Sequence, residues 1–293
     1  MHVFHDIEPL QRFLTGHRGD HPLAFVPTMG ALHDGHGACV RVARSVENAL
    51  VACSVFVNPS QFAPGEDVDR YPRTLEADVE RLRAWGCDAV FAPSVATIYP
   101  EAQRVWVEVE GLSEPLCGRF RPGHFRGVAT VVSKLFHIVR PDVAVFGQKD
   151  AQQALIVRSL VRQLNLGVEL RLAATVRERD GLAMSSRNAY LAPEERPRAA
   201  ALCRALLDAR RALESGGRDA RAIEHVALAT LRAAGIERVD YAELRRADDL
   251  SGLEQVEGRV ILALAAYAGA TRLIDNMVFE VGARGVVSDV ALF

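Results

Sequence analysis

Between Leu23 and about Leu172, short apolar runs alternate with longer stretches in which apolar residues recur every three or four positions. LAFVPT (23–28), LVACSVFV (50–57), CDAVFAP (87–93), DVAVFG (142–147) and VELRLA (168–173) read as strands. GHGACVRVARSVENA (35–49), TLEADVERLRAW (74–85), GVATVVSKLFHIV (127–139) and DAQQALIVRSLVRQL (150–164) carry helical spacing. Strands that are apolar throughout, separated by helices, predict a parallel sheet covered on both faces, a Rossmann-like α/β domain. Ligands of such sheets bind beyond the carboxyl ends of the strands.

Beyond about Thr175 the pattern changes. PEERPRAAALCRALLDARRALESGG (193–217) predicts one Ala/Arg-rich helix stopped by Gly-Gly, and a second helix covers about 219–234. DYAELRR, RVILALAAYA and TRLIDNMVFEV then read as strands. Helices followed by a run of strands predict a smaller α+β domain, so the chain is expected to divide into residues 1–175 and 176–293.

Composition narrows the function. The 293 residues are 49% hydrophobic and 25% charged with a net charge of −2. That is ordinary for a globular protein and argues against a general nucleic-acid or membrane-surface binder. The five cysteines show no metal-like spacing and four lie in apolar stretches, so buried free thiols in a reducing compartment are expected. The opening MHVFHDIEPLQRF is too polar for a signal peptide, and no apolar run approaches the ~20 residues that span a bilayer. The cytoplasm is the expected location.

Chemistry-bearing residues gather where the strands end. In PTMGALHDGH (27–36), Pro27 ends a strand, Gly30 allows a tight turn, and His33 and His36 fall on one face of a starting helix. Backbone N–H groups and the helix dipole make that end suited to phosphate. The bland alternative is a loop with two exposed histidines, and a metal pair is a third. In FVNPSQF (56–62), Asn58-Pro59 stops a strand and Gln61 can both donate and accept, as a hydroxy acid requires; a plain turn is the alternative. In FGQKDAQQ (146–153), Asp150 reads as an N-cap, but Lys149 opposes the helix dipole unless an anion binds there; Gln153 lies one turn on. RERDGLAMSSRNAYL (177–191) offers two hydroxyls and a guanidinium for phosphate oxygens, or else a polar turn. GRFRPGHFRG (118–127), with Arg121 and His124, is a further candidate phosphate loop. There is no Walker A lysine loop and no GxGxxG, which disfavours a P-loop enzyme and a dinucleotide oxidoreductase.

PTMGALHDGH, FVNPSQF, GRFRPGHFRGVATVVSKL, FGQKD-QQ and GLAMSSRNAYL resemble, in order and spacing, the motifs of the pantothenate synthetase family. The likeness runs from about residue 23 to 191, and DYAELR and TRLIDN are similar to that family's later strands. His-x-x-His resembles the HIGH signature of the nucleotidylyl-transferase superfamily, and MSSRN stands in the place of its KMSKS-like loop. The resemblance implies an ATP-dependent ligase that makes pantoyl-adenylate and passes the acyl group to β-alanine, in coenzyme A biosynthesis. It implies Mg2+ with ATP, a lid-like second domain and a homodimer.

By the same resemblance, His33, His36, Lys149, Ser185, Ser186 and Arg187 carry catalysis on the phosphates. Met29, Gly30, Gly147, Asp150, Val176 and Met184 complete the ATP-binding set. Pro27, Met29, Gln61, Val131, Val132 and Gln153 hold pantoate, and Asp78 is a magnesium ligand. Three positions depart from the family pattern: Gln148 where Glu is usual, Ala151 where a bulky residue is usual, and Gly37 where a bulky apolar residue is common. Two other functions remain open: a nucleotidylyl transferase with a stable nucleotide product, and a non-catalytic nucleotide-binding protein on the same fold.

Overall fold

The computed structural model describes residues 1–63, 65–283 and 285–293. The chain forms two compact units. The first comprises Met1–Glu114, Arg121–Gly147 and Gln153–Ala173; the second comprises Pro115–Phe120, Gln148–Gln152 and Ala174–Phe293.

The first unit is built on a six-stranded sheet of β1 (His2–Phe4), β2 (Leu23–Thr28), β3 (Leu50–Val55), β4 (Ala89–Phe91), β5 (Val143–Gly147) and β6 (Glu169–Ala173). The order is β1-β4-β3-β2-β5-β6, with every pairing parallel. Its helices are α1 (Ile7–Arg18), α2 (Asp34–Arg44), α3 (Leu75–Ala84), α4 (Val95–Ile98), α6 (His124–Val139) and most of α7 (Ala151–Gln163); α5 (Cys117–Phe120) belongs to the second unit. Both faces of the sheet are covered, as the apolar strands predict. Phe25, Ala52, Phe91 and Ala144 pack with α1, α6 and α7 on one face. Ala24, Val26, Cys53, Val90 and Val145 pack with α2 and α3 on the other. The chain leaves β2 toward β3 and β4, then returns to build β5 and β6 on the opposite side. The ends of β2 and β5 therefore flank the point where strand order reverses, the usual ligand crevice of such sheets.

The second unit carries a four-stranded antiparallel sheet, ordered β10 (Gly285–Ser288), β9 (Thr271–Gly282), β8 (Gly258–Ala268) and β7 (Val239–Arg246). Helices α8 (Arg196–Ala199), α9 (Ala201–Glu214) and α10 (Ala220–Ala233) complete it. Leu202, Leu206, Leu213, Ile223 and Leu231 from α9 and α10 form one core with Leu262, Leu264, Met277 and Phe279 from the sheet.

Three differences from the sequence expectation have physical causes. The single helix expected over 193–217 is two, because the chain turns at Ala200 between α8 and α9, with Pro197 in the first turn of α8. α1 lies outside the sequence pattern because it buries only Leu10 and Leu14 and carries Pro9 and Gly16. β1 and β10, of three and four residues, are too short to show alternation. All five cysteines are buried and free, as expected. No helix of the described residues is long and apolar enough to cross a membrane.

Candidate active site

The switch point is built around the loop from β2 to α2. Gly30 (φ 82°) and Ala31 (φ 50°) both take left-handed backbone, a strained path for alanine. Asp78, on α3 and only 2% exposed, holds that path. Its Oδ2 accepts from Ala31 N–H at 2.9 Å, and its Oδ1 accepts from Leu32 N–H at 2.8 Å. Thr74 donates its hydroxyl to Oδ2 at 3.2 Å. Asp78, expected as a magnesium ligand, is thus engaged on both oxygens by the loop. Among the described residues no group of three or more His, Cys, Asp or Glu could hold a metal ion.

The loop delivers His33 to the N-cap of α2 and His36 to its third position, where the two close a reciprocal cap. Gly35 N–H donates to His33 Nδ1 at 3.2 Å, and His33 N–H donates to His36 Nδ1 at 3.2 Å. The rings lie 4.1 Å apart between centroids. With both Nδ1 atoms accepting, each neutral ring carries its proton on Nε2. The histidines therefore do two jobs: their Nδ1 atoms satisfy backbone donors, and their Nε2–H groups are oriented donors at a helix N-terminus. At Gly37, one residue on, an added Cβ would meet the Trp85 ring at 2.9 Å; Trp85 fills the room a bulky residue would take.

Gln61 is placed by a second network. Asn58, 1% exposed, donates from Nδ2 to Gln61 Oε1 at 3.0 Å and to the Gly127 carbonyl at 3.2 Å. Asn58 Oδ1 accepts from Ser60 N–H at 3.3 Å, Ser60 hydroxyl at 2.9 Å and Tyr99 hydroxyl at 2.8 Å. With its oxygen occupied, Gln61 presents its amide N–H, which contacts Met29 Sδ at 2.9 Å. α6 comes so close to this turn that a Cβ on Gly127 would lie 2.2 Å from the Ser60 carbonyl oxygen; only glycine fits. Val131 and Val132, further along α6, are buried in the apolar cluster of that face, and Gln153 is half-buried on α7.

Arg121 and His124 also converge here. His124 Nδ1 lies 2.7 Å from the Gln61 carbonyl oxygen, and Arg121 makes a bidentate pair with Glu66 at 2.7 and 2.6 Å. Burial pushes the Glu66 carboxyl up, but the hydrogen bonds and charge of Arg121 outweigh it and hold the carboxyl below its ordinary value.

In the second unit, Lys149 sits in a 3-10 turn, Gln148–Asp150, with its ammonium 3.8 Å from the Asp150 carboxylate. Asn276 of β9 donates to the carbonyls of Gln148 at 3.1 Å and Lys149 at 2.8 Å. Asp275, beside it, is buried and paired bidentately with Arg177 at 2.6 and 3.0 Å. Ser185 caps the 3-10 turn Ser186–Tyr190 by accepting from Arg187 N–H at 3.2 Å. Met184 N–H donates to the Val176 carbonyl at 2.9 Å, so these two expected ATP-binding residues flank the isolated bridge between Arg177 and Ala183.

The holding roles of Asn58, Asn276 and Asp78 escaped the sequence reading. Asn58 had a local signal, an Asx residue three places before a site glutamine; the other two act on loops remote in sequence and had none.

A parallel sheet with a histidine-capped helix at its switch point defines a Rossmann-type α/β protein suited to phosphate ligands. The sequence model of the pantoate-beta-alanine ligase family matches residues 2–278, and the chain belongs to that family. It is 49% identical over 259 residues to the pantothenate synthetase of Acetivibrio thermocellus, covering 88% of this chain and 92% of that one. It is 48% identical over 283 residues to that of Carboxydothermus hydrogenoformans, covering 96% and 100%. Among solved structures, pantothenate synthetase from Thermus thermophilus matches with TM-score 0.88 and 45% identity over 94% of this chain and 98% of that one. A pantoate-beta-alanine ligase from Francisella tularensis, complexed with beta-gamma ATP and beta-alanine, matches with TM-score 0.78 and 31% identity, covering 94% and 97%.

Proposed function

We propose that this protein joins pantoate to β-alanine at the expense of ATP, by way of a pantoyl-adenylate. The pantoate carboxylate attacks the α-phosphorus of ATP and expels pyrophosphate. The β-alanine amine then attacks the acyl carbon and expels AMP. The carboxylate is already ionised at neutral pH, so the first step needs no general base; positioning and charge stabilisation on the phosphates supply the catalysis. The amine must be neutral when it attacks, and it loses a proton as the amide forms.

The observation that carries this reading is the reciprocal cap of His33 and His36, which supports Nε2–H donation to phosphate oxygens at the N-terminus of α2. Lys149, Ser185, Ser186 and Arg187 are assigned to the same phosphates, and Gly30, Gly147, Asp150, Val176 and Met184 to the rest of ATP. Pro27, Met29, Gln61, Val131, Val132 and Gln153 are assigned to pantoate; the Asn58 network supports Gln61 as a donor to an acid. The residues assigned to pantoate all lie within 1–175, whereas those assigned to ATP fall both within 1–175 and within 176–293, the latter being Val176, Met184, Ser185, Ser186 and Arg187. Magnesium enters with the ATP phosphates as part of the substrate, and Asp78 is the one protein residue that the resemblance assigns to it. A homodimer and a cytoplasmic location complete the proposal.

The test is AMP release by the purified protein with ATP, pantoate and β-alanine, each omitted in turn. AMP formed stoichiometrically with pantothenate, and only when all three are present, supports the reading; ATP turnover indifferent to pantoate overturns it.

A further inference from the structure

The 3-10 turn bearing Lys149 is held from two directions. Asn276 fixes its backbone through the Gln148 and Lys149 carbonyls, as described above. The second hold comes from the last residues of the sequence. Gln148 is 8% exposed; its Nε2 donates to the Val290 carbonyl at 3.0 Å, and its Oε1 accepts from Leu292 N–H at 3.2 Å. Leu292 itself is 0% exposed, which anchors the segment that makes these bonds.

One side chain therefore bonds two backbone groups of opposite kind, two residues apart. The pair of bonds needs a donor for Val290 and an acceptor for Leu292, which the neutral amide supplies and an ionised carboxylate of the same length does not. A glutamate here would set a carboxylate oxygen against the Val290 carbonyl, two acceptors face to face, and would lose that bond.

We propose that segment 290–293, clamped through Gln148, is a positioning element for Lys149: it sets the backbone from which the lysine reaches phosphate. The inference rests on the phosphate role of Lys149 proposed above. Gln148 and the segment touch no reacting atom in this account and act through the lysine alone.

The test is a cycle of variants read by pantoate-dependent exchange of labelled pyrophosphate into ATP at saturating substrates. Gln148→Glu and a deletion of residues 290–293 are each made in the natural chain and in Lys149→Ala. The natural-background variants should lose at least about tenfold in exchange rate, the scale of a modestly displaced catalytic group, with the pantoate KM unchanged. In the Lys149→Ala background neither change should cost more than about twofold, because residues that act through one another are not additive. The isosteric Gln148→Glu keeps the test alive if the deletion fails to fold. Equal losses in both backgrounds, or no loss in either, overturn the proposal. Full exchange by Lys149→Ala alone would instead remove the lysine's role, and the two failures are distinguishable.

Discussion

Asp78→Asn separates a structural carboxylate from a metal ligand. Asp78 receives two backbone N–H groups, from Ala31 and Leu32, at 2.9 and 2.8 Å in a 2% exposed site. Asparagine keeps one acceptor oxygen and turns an NH2 toward the other N–H. One charge-assisted bond is lost, about 1.5–3 kcal/mol, and a buried donor is left unmade. In a unit of this size each kcal/mol moves the melting midpoint by roughly 2–4 °C, so the midpoint should fall by roughly 3–12 °C. The strained Gly30–Ala31 path would also relax, and with it the approach to the His33 cap, so the exchange rate should fall too. The assays are thermal melting by circular dichroism and pyrophosphate exchange titrated with magnesium. The concentration of magnesium at half-maximal exchange should not change. A natural melting midpoint combined with a raised magnesium requirement would refute the reasoning and restore Asp78 as a ligand.

Three further outcomes are expected. His36→Ala removes half of the reciprocal cap and the phosphate donor proposed for it, and exchange should slow by at least ~10²-fold; a rate within a few-fold of the natural protein counts against the role. Gly127→Ala drives a Cβ to 2.2 Å from the Ser60 carbonyl, so overpacking should cost about 1–3 kcal/mol and raise the pantoate KM by displacing Gln61; an unchanged melt and KM would show that α6 yields instead. The Glu66 carboxyl has its folded value held below its ordinary 4.5, chiefly by Arg121 against the opposing effect of burial. Its contribution to stability is therefore present above that pH and lost as pH falls through the folded value. Glu66→Gln should lower the melting midpoint at pH 7 and close the gap with the natural protein in acid, whereas a gap independent of pH would mean the pair contributes nothing through charge.

The parallel sheet was legible because Leu23–Thr28, Leu50–Val55 and Val143–Gly147 are apolar on both faces, which only a covered sheet accommodates. His33 and His36 were legible as a helix start because they stand three apart just after the apolar strand Leu23–Thr28, although Pro27, expected to end that strand, pairs with Ser54 inside it. That the rings cap each other was not, since it depends on which nitrogen meets which backbone group. Asp78 looked like any first-turn acid of α3; its partners lie 46 and 47 residues away, and no local pattern reports them. Asn276 sits in a strand and acts on the Lys149 turn 127 residues earlier, for the same reason out of reach. α1 was missed because a helix that buries two leucines leaves a faint periodicity. Gln148 stood out as a departure in the sequence, but its meaning needed the position of Val290 and Leu292.

The central claim is that pantoate and ATP react to an enzyme-bound adenylate before any amine enters. The direct measurement is exchange of labelled pyrophosphate into ATP with magnesium and pantoate present and β-alanine absent. Exchange should require pantoate and end when pantoate is withheld. ATP binding without exchange, or exchange that appears only after β-alanine is added, would contradict it.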